Sequence, residues 1–170
     1  MKKSTILLIL LLTLLLVASC KQREVNGRVN IEASPAQEKE TFIKVSNDIC
    51  TQDGKPIIRE FGTTWCPHCQ WIKETYSKVV NEYVNEGKIT AYLWEVDIGD
   101  DALTEDVETE VPESEMKIFR DTNKQGSVPT FIFGCKYIRF GNGYEAMGSL
   151  ELEEKEFRKI IDELIAEVNN

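Results

Sequence analysis

Two cysteines separated by two residues, Cys66 and Cys69, enclose a proline and a histidine in the run Trp65-Cys66-Pro67-His68-Cys69. A dithiol with this spacing can capture a disulfide through its first sulfur and release the captured partner through its second, which lies one turn away once the segment is helical. The attacking species is the thiolate. A helix start favours it, because unpaired backbone N–H groups and the positive end of the helix dipole hold negative charge there. Cys66 is therefore the expected nucleophile and Cys69 the resolving thiol. His68, through a cation or ring N–H, would further favour the Cys66 anion and make the disulfide more oxidising. A zinc site would need four ligands, and the chain has one histidine and no second pair of this spacing. A purely structural bridge across so small a loop would add little stability.

The elements that must hold this pair can be read on either side of it. Asp53-Gly54 marks a turn, and Pro56–Phe61 is apolar and β-branched in the manner of a buried strand. Pro67 suits the first turn of a helix. Ile72, Tyr76, Val79, Val80, Tyr83 and Val84 then keep a helical stripe that Gly87 ends. Ile89–Val96 is a second strand. Ser114–Lys124 reads as a helix, Thr130–Phe133 as a third strand and Tyr137–Phe140 as a fourth, joined to the third by a tight Gly134-Cys135-Lys136 connection. Leu152–Val168 closes the chain with Phe157, Ile160, Ile161, Leu164, Ile165 and Val168 at helical spacing. Thr41–Ile49 is a short helix or strand.

The Cys-Pro-His-Cys run between a strand and a helix, together with Val128-Pro129-Thr130 opening a later strand, resembles the thioredoxin superfamily over residues 55–168. The resemblance implies an α/β thioredoxin fold whose central mixed sheet has four, or with an extra edge five, strands flanked by helices. It implies a cis Pro129 against the cysteines, with the Val128 backbone pairing with a substrate chain and Trp65 and Pro67 bordering it. It also makes Glu60, six residues before Cys66, the acid or base for Cys69, with a raised pKa if the carboxyl is buried. Because the first and third core strands are antiparallel neighbours in this fold, Cys50 and Cys135 could meet in a structural disulfide; two buried free thiols are the other reading. Pro-His and the valine before the proline resemble the disulfide-forming periplasmic oxidases (DsbA). Trp65 and the short stretch between the second and third strands resemble thioredoxin itself, so the direction of electron flow stays open.

Met1–Cys20 has a basic start at Lys2 and Lys3, then an apolar run from Ile6 to Ala18 that is short for a membrane span, the pattern of a leader that serves as a cleaved secretory signal peptide. Val17-Ala18-Ser19-Cys20 resembles the lipobox of bacterial lipoproteins, which makes Cys20 a lipidation site and accounts for the odd one of five cysteines. Residues 21–40 are polar and aperiodic, a flexible tether, and 41–170 form the thioredoxin-like domain. The expected location is extracytoplasmic, at a membrane, in the periplasm or on the cell surface.

A net charge of −9 argues against nucleic-acid binding. The ten acidic residues of Glu95–Glu115 lack the spacing of an EF-hand loop and read as a solvated insertion, and Gly141-Asn142-Gly143 reads as a turn. Trp71, Tyr76 and Trp94 read as core. These features predict a monomeric, cofactor-free and metal-free oxidoreductase acting on protein thiols or disulfides and reset by a membrane or extracytoplasmic redox partner. The other class of function compatible with the chain is a non-catalytic thioredoxin-like module assisting haem or copper protein maturation.

Overall fold

The computed structural model describes residues 40–170, so the leader 1–20, Cys20 and the tether as far as residue 39 lie outside the described residues. Seven strands and three helices follow in the order β1 (Ile43–Lys44), β2 (Thr51–Gln52), β3 (Lys55–Gly62), α1 (Pro67–Asn85), β4 (Thr90–Glu95), β5 (Asp100–Asp101), α2 (Glu113–Thr122), β6 (Thr130–Phe133), β7 (Tyr137–Phe140) and α3 (Leu150–Val168). The sheet order is β1-β7-β6-β3-β4-β5, with β2 paired to the start of β3. β3 lies parallel to β4 and antiparallel to β6, with Ile58 opposite Phe133 and Phe61 opposite Thr130. The four strands expected from the sequence form the centre. The additions are three two-residue strands, too short to show a period, which extend the sheet beyond the expected four or five.

Seven of the eight residues of β3 are buried, because helices cover both faces of the sheet. Alternation along the strand divides its side chains between the two layers. Ile58 enters the core with Ile72, Tyr76, Phe131, Phe133, Phe157 and Leu164 beneath α1 and α3. Phe61 goes to the opposite face, where it stacks on Phe119 of α2 at 4.9 Å between ring centroids. Arg59 shares that second face, its guanidinium 2.6 Å from Glu115. Glu60 must then face α1, and this alternation brings a carboxyl under the cysteines.

Cys66 caps α1 from an extended backbone conformation, Pro67 occupies the first helical turn, and the buried stripe is Ile72, Tyr76, Val79, Val80 and Tyr83. Val84, expected in that stripe, is exposed. α3 starts two residues before its predicted position because the Ser149 hydroxyl caps it, accepting the Leu152 N–H at 3.3 Å.

Cys50 and Cys135 are joined by a disulfide at the start of β3, the end away from Cys66. The turn that carries Cys135 needs its glycine: Gly134 has φ +61°, and a Cβ there would lie 2.7 Å from Leu164 Cδ2. The acidic segment is not wholly solvated. Asp101 is buried, and its carboxylate accepts the Leu93 N–H at 2.9 Å and the Leu103 N–H at 3.2 Å, which folds the segment back on β4.

β7 contributes a buried cation. Arg139 lies 2.8 Å from Glu153 and 3.2 Å from Glu156, both on α3, and its guanidinium carbon is 4.4–4.9 Å from the ring centroids of Phe42, Phe131 and Phe157. Glu156 also accepts the Thr41 N–H at 2.6 Å, so the same cluster ties down the segment leading into β1.

Candidate active site

At the end of β3 the chain turns through Thr63-Thr64-Trp65 into α1. Asp97 holds this turn by accepting the Thr64 N–H at 3.0 Å, and Gln70 Nε2 donates to the Thr64 carbonyl at 2.7 Å. Trp65 is 70% exposed beside the helix start. Cys66 and Cys69 are both free thiols, and both are buried. The Cys69 N–H points at Cys66 Sγ from 3.4 Å, one of the orphan donors of the helix start directed at sulfur.

On the other side of the sulfur lies the loop before β6. The Val128–Pro129 peptide bond is cis, and the Cys66 thiol points at the Val128 carbonyl 3.8 Å away. Asn123, at the end of α2, fixes this loop: its Nδ2 donates to the Ser127 carbonyl and to Thr130 Oγ1, each at 2.7 Å. Pattern reading gave no role to Asn123, because a single polar residue after a helix has no distinguishing signal.

His68 lies on the outer side of the helix start. Its Nδ1 is 2.8 Å from Glu145 Oε2, and Asn142 Nδ2 donates to the His68 carbonyl at 2.9 Å. His68 Nδ1, one of its two ring nitrogens, is thus engaged by a carboxylate 77 residues away in the chain. Asn142 and Glu145 were not found from sequence. The glycines beside Asn142 signal a turn, and the turn's second use depends on where the fold delivers it.

Beneath the pair, Glu60 is 1% exposed. Burial pushes its carboxyl up to about 8; the positive charges of Arg139 and Lys73 oppose the rise, and Glu95 and Glu153 add to it. Burial also pushes the Cys69 thiol up, as do its hydrogen bond with Cys66 and the nearby Glu60. Glu60 Oε2 finds no hydrogen-bond partner among the described residues. A cavity of about 260 Å³ reaches Glu60 and Cys69 past Gln70, Lys73 and Glu95, and Lys73 Nζ pairs with Glu95 Oε1 at 2.6 Å. Among the described residues, no group of three or more His, Cys, Asp or Glu side chains is placed to hold a metal ion.

A dithiol at a helix start, a cis proline facing it and a buried acid below it are set on a mixed sheet between helices. The thioredoxin family model matches residues 37–131, and the chain belongs to that family. Among solved structures the fold is similar to that of the oxidoreductase NmDsbA1 from N. meningitidis, with 15% sequence identity and a TM-score of 0.53 over 78% of this chain and 95% of that one. A comparison with curated proteins finds no match.

Proposed function

We propose that this chain is a thiol–disulfide oxidoreductase of protein substrates, tethered outside the cytoplasm by a lipid on Cys20. The observation that carries the reading is the free Cys66 sulfur between the Cys69 N–H and the Val128 carbonyl of the cis-proline loop. In the oxidative half of the cycle a substrate dithiol is the donor. Its thiolate attacks Cys66 Sγ of the Cys66–Cys69 disulfide, Cys69 leaves and takes a proton, and the substrate's second thiolate then displaces Cys66, so that two electrons pass to the enzyme. In the reductive direction Cys66 attacks a substrate disulfide. Cys69, losing its proton to the Glu60 carboxylate, then attacks Cys66 Sγ and releases the substrate dithiol.

Glu60 fits this exchange because burial keeps its carboxyl able to hold or accept a proton near neutral pH. The Val128 backbone offers an extended substrate segment a pairing edge beside the sulfur, with Trp65 and Pro67 at its border. The leader and lipobox-like sequence support the tether, and among the described residues no helix is long and apolar enough to cross a membrane.

The test is equilibration of the protein with glutathione, with Cys66→Ser and Cys69→Ser as controls. A potential near about −120 mV assigns an oxidase and one near about −270 mV a reductase. Absence of exchange by the wild-type protein would overturn the proposal in favour of a binding module. Membrane fractionation of a Cys20→Ala variant tests the anchor, which predicts release of the variant from the membrane.

A further inference from the structure

The segment from Gly141 to Ser149 links both walls of the dithiol site. The Gly141 N–H donates to the Pro129 carbonyl at 2.8 Å, on the cis-proline side. Asn142 Nδ2 donates to the His68 carbonyl at 2.9 Å and to Glu145 Oε2 at 2.8 Å, on the helix side. The Tyr144 N–H donates to Glu153 Oε1 at 2.7 Å, and Ser149 caps α3. The backbone around Glu145 is therefore pinned on both sides, and its two carboxylate oxygens lie 2.8 and 2.9 Å from His68 Nδ1. Although partial burial opposes it, the hydrogen bonds from Asn142 and His68 hold the Glu145 carboxyl below the usual range, so the group facing the imidazole is an anion.

An anion at this place acts on the dithiol in two ways of the same sign. It opposes the field that a protonated His68 would exert on a sulfur anion at the helix start, and it adds negative charge of its own beside the first turn of that helix. Both effects disfavour the thiolate of the reduced form, and so favour the disulfide.

We propose that Glu145 is a positioning residue for the dithiol: by holding His68 Nδ1 in a hydrogen bond and placing its carboxylate beside the helix start, it restrains the oxidising strength of the Cys66–Cys69 disulfide. This rests on the exchange chemistry proposed above and names a residue outside the cysteine motif that sets its poise. The reaction is the balanced one in which the disulfide and two glutathione molecules give the dithiol and one glutathione disulfide, so no further reductant is involved.

The experiment measures that equilibrium at pH 7 for the full chain in detergent, comparing wild type, Glu145→Gln, Glu145→Ala, His68→Asn and the Glu145→Gln/His68→Asn double variant. Both single changes at Glu145 are expected to move the equilibrium constant toward the dithiol by about tenfold, equivalent to about 30 mV less negative. In the His68→Asn background the Glu145→Gln effect should shrink to about twofold, the remnant of direct charge. A loop that serves only to hold the fold would lower thermal stability in both backgrounds without moving the potential. Wild-type exchange with no shift in either Glu145 variant, a shift of opposite sign, or a full shift that persists without His68 overturns the assignment of Glu145. Failure of the wild type to exchange at all overturns the underlying oxidoreductase reading instead.

Discussion

Glu60 and Cys69 meet over Gly62: a Cβ at that glycine would lie 3.4 Å from Cys69 Sγ and 3.6 Å from Glu60 Oε1. Gly62 puts no side chain of its own between the acid and the thiol, and the cavity they share is lined by Gln70, Lys73 and Glu95 together with Leu93. Glu60→Gln removes the proposed proton carrier and leaves the shape. The expected outcome is a fall in the rate of Cys69 attack on the mixed disulfide of about a hundredfold, in the range for loss of a general base. Rapid-quench trapping of the mixed disulfide measures it. An unchanged rate would remove Glu60 from the mechanism.

The same carboxyl makes stability depend on pH. Its pKa rises from 4.5 unfolded to about 8 folded, so the folded state binds the proton more tightly. The associated stability is fully present below pH 4.5 and is lost as pH rises through about 8. Denaturant midpoints should therefore fall across this window for the wild-type protein, and the fall should be smaller in Glu60→Gln. Parallel curves for the two proteins would contradict the buried, proton-holding carboxyl.

Lys73 and Glu95 act on Glu60 with opposite signs, Lys73 lowering its pKa and Glu95 raising it. Lys73→Met should move the pH profile of Cys69 reactivity upward, and Glu95→Gln should move it downward. Stopped-flow rates of mixed-disulfide resolution between pH 5 and 10 distinguish the two. Shifts of the same sign in both variants would mean that the pair acts through packing and not through charge.

The Cys50–Cys135 bridge closes a loop of 85 residues. Cys50→Ala/Cys135→Ala should cost about 2–5 kcal/mol in urea unfolding. Because the bridge is at the far end of β3, the glutathione equilibrium of Cys66–Cys69 should stay unchanged. A shift in that equilibrium would show that the two sulfur pairs communicate through the strand.

Arg139→Met strands Glu153 and Glu156, two buried carboxylates, with no cation between them. Breaking a buried ion cluster on one side costs about 3–5 kcal/mol, measurable by thermal or chemical denaturation. Replacing all three by apolar residues should recover part of this loss, since the charges would leave together while the Thr41 and Tyr144 N–H groups lose their carboxylate acceptors.

Legibility from sequence tracked the range of the interactions involved. The dithiol helix could be read because its cap, proline, stripe and terminating glycine all lie within about twenty residues of one another. Burial of Glu60 follows from a one-residue alternation along β3, once both faces of the sheet are known to be covered. Arg139 looked like an ordinary strand residue, because its partners are three aromatic rings and two carboxylates from other elements. Asp101 was hidden in the acidic run, where composition cannot tell a carboxylate that caps β4 backbone from one that faces water. His68 was read with its neighbours in sequence, and the fold supplied a different neighbour in Glu145. The edge strands escaped notice because two residues make no pattern.

Those brief edge strands would have a consequence at the high local density that the proposed lipid anchor on Cys20 would impose on copies sharing a surface. β1 and β5 each offer only two residues of flank. A neighbouring polypeptide trying to zip alongside β1 or β5 themselves meets a ledge too short to grip. Under the proposed function, backbone recognition would then fall to the mouth of the dithiol, where an incoming chain can attach briefly and depart.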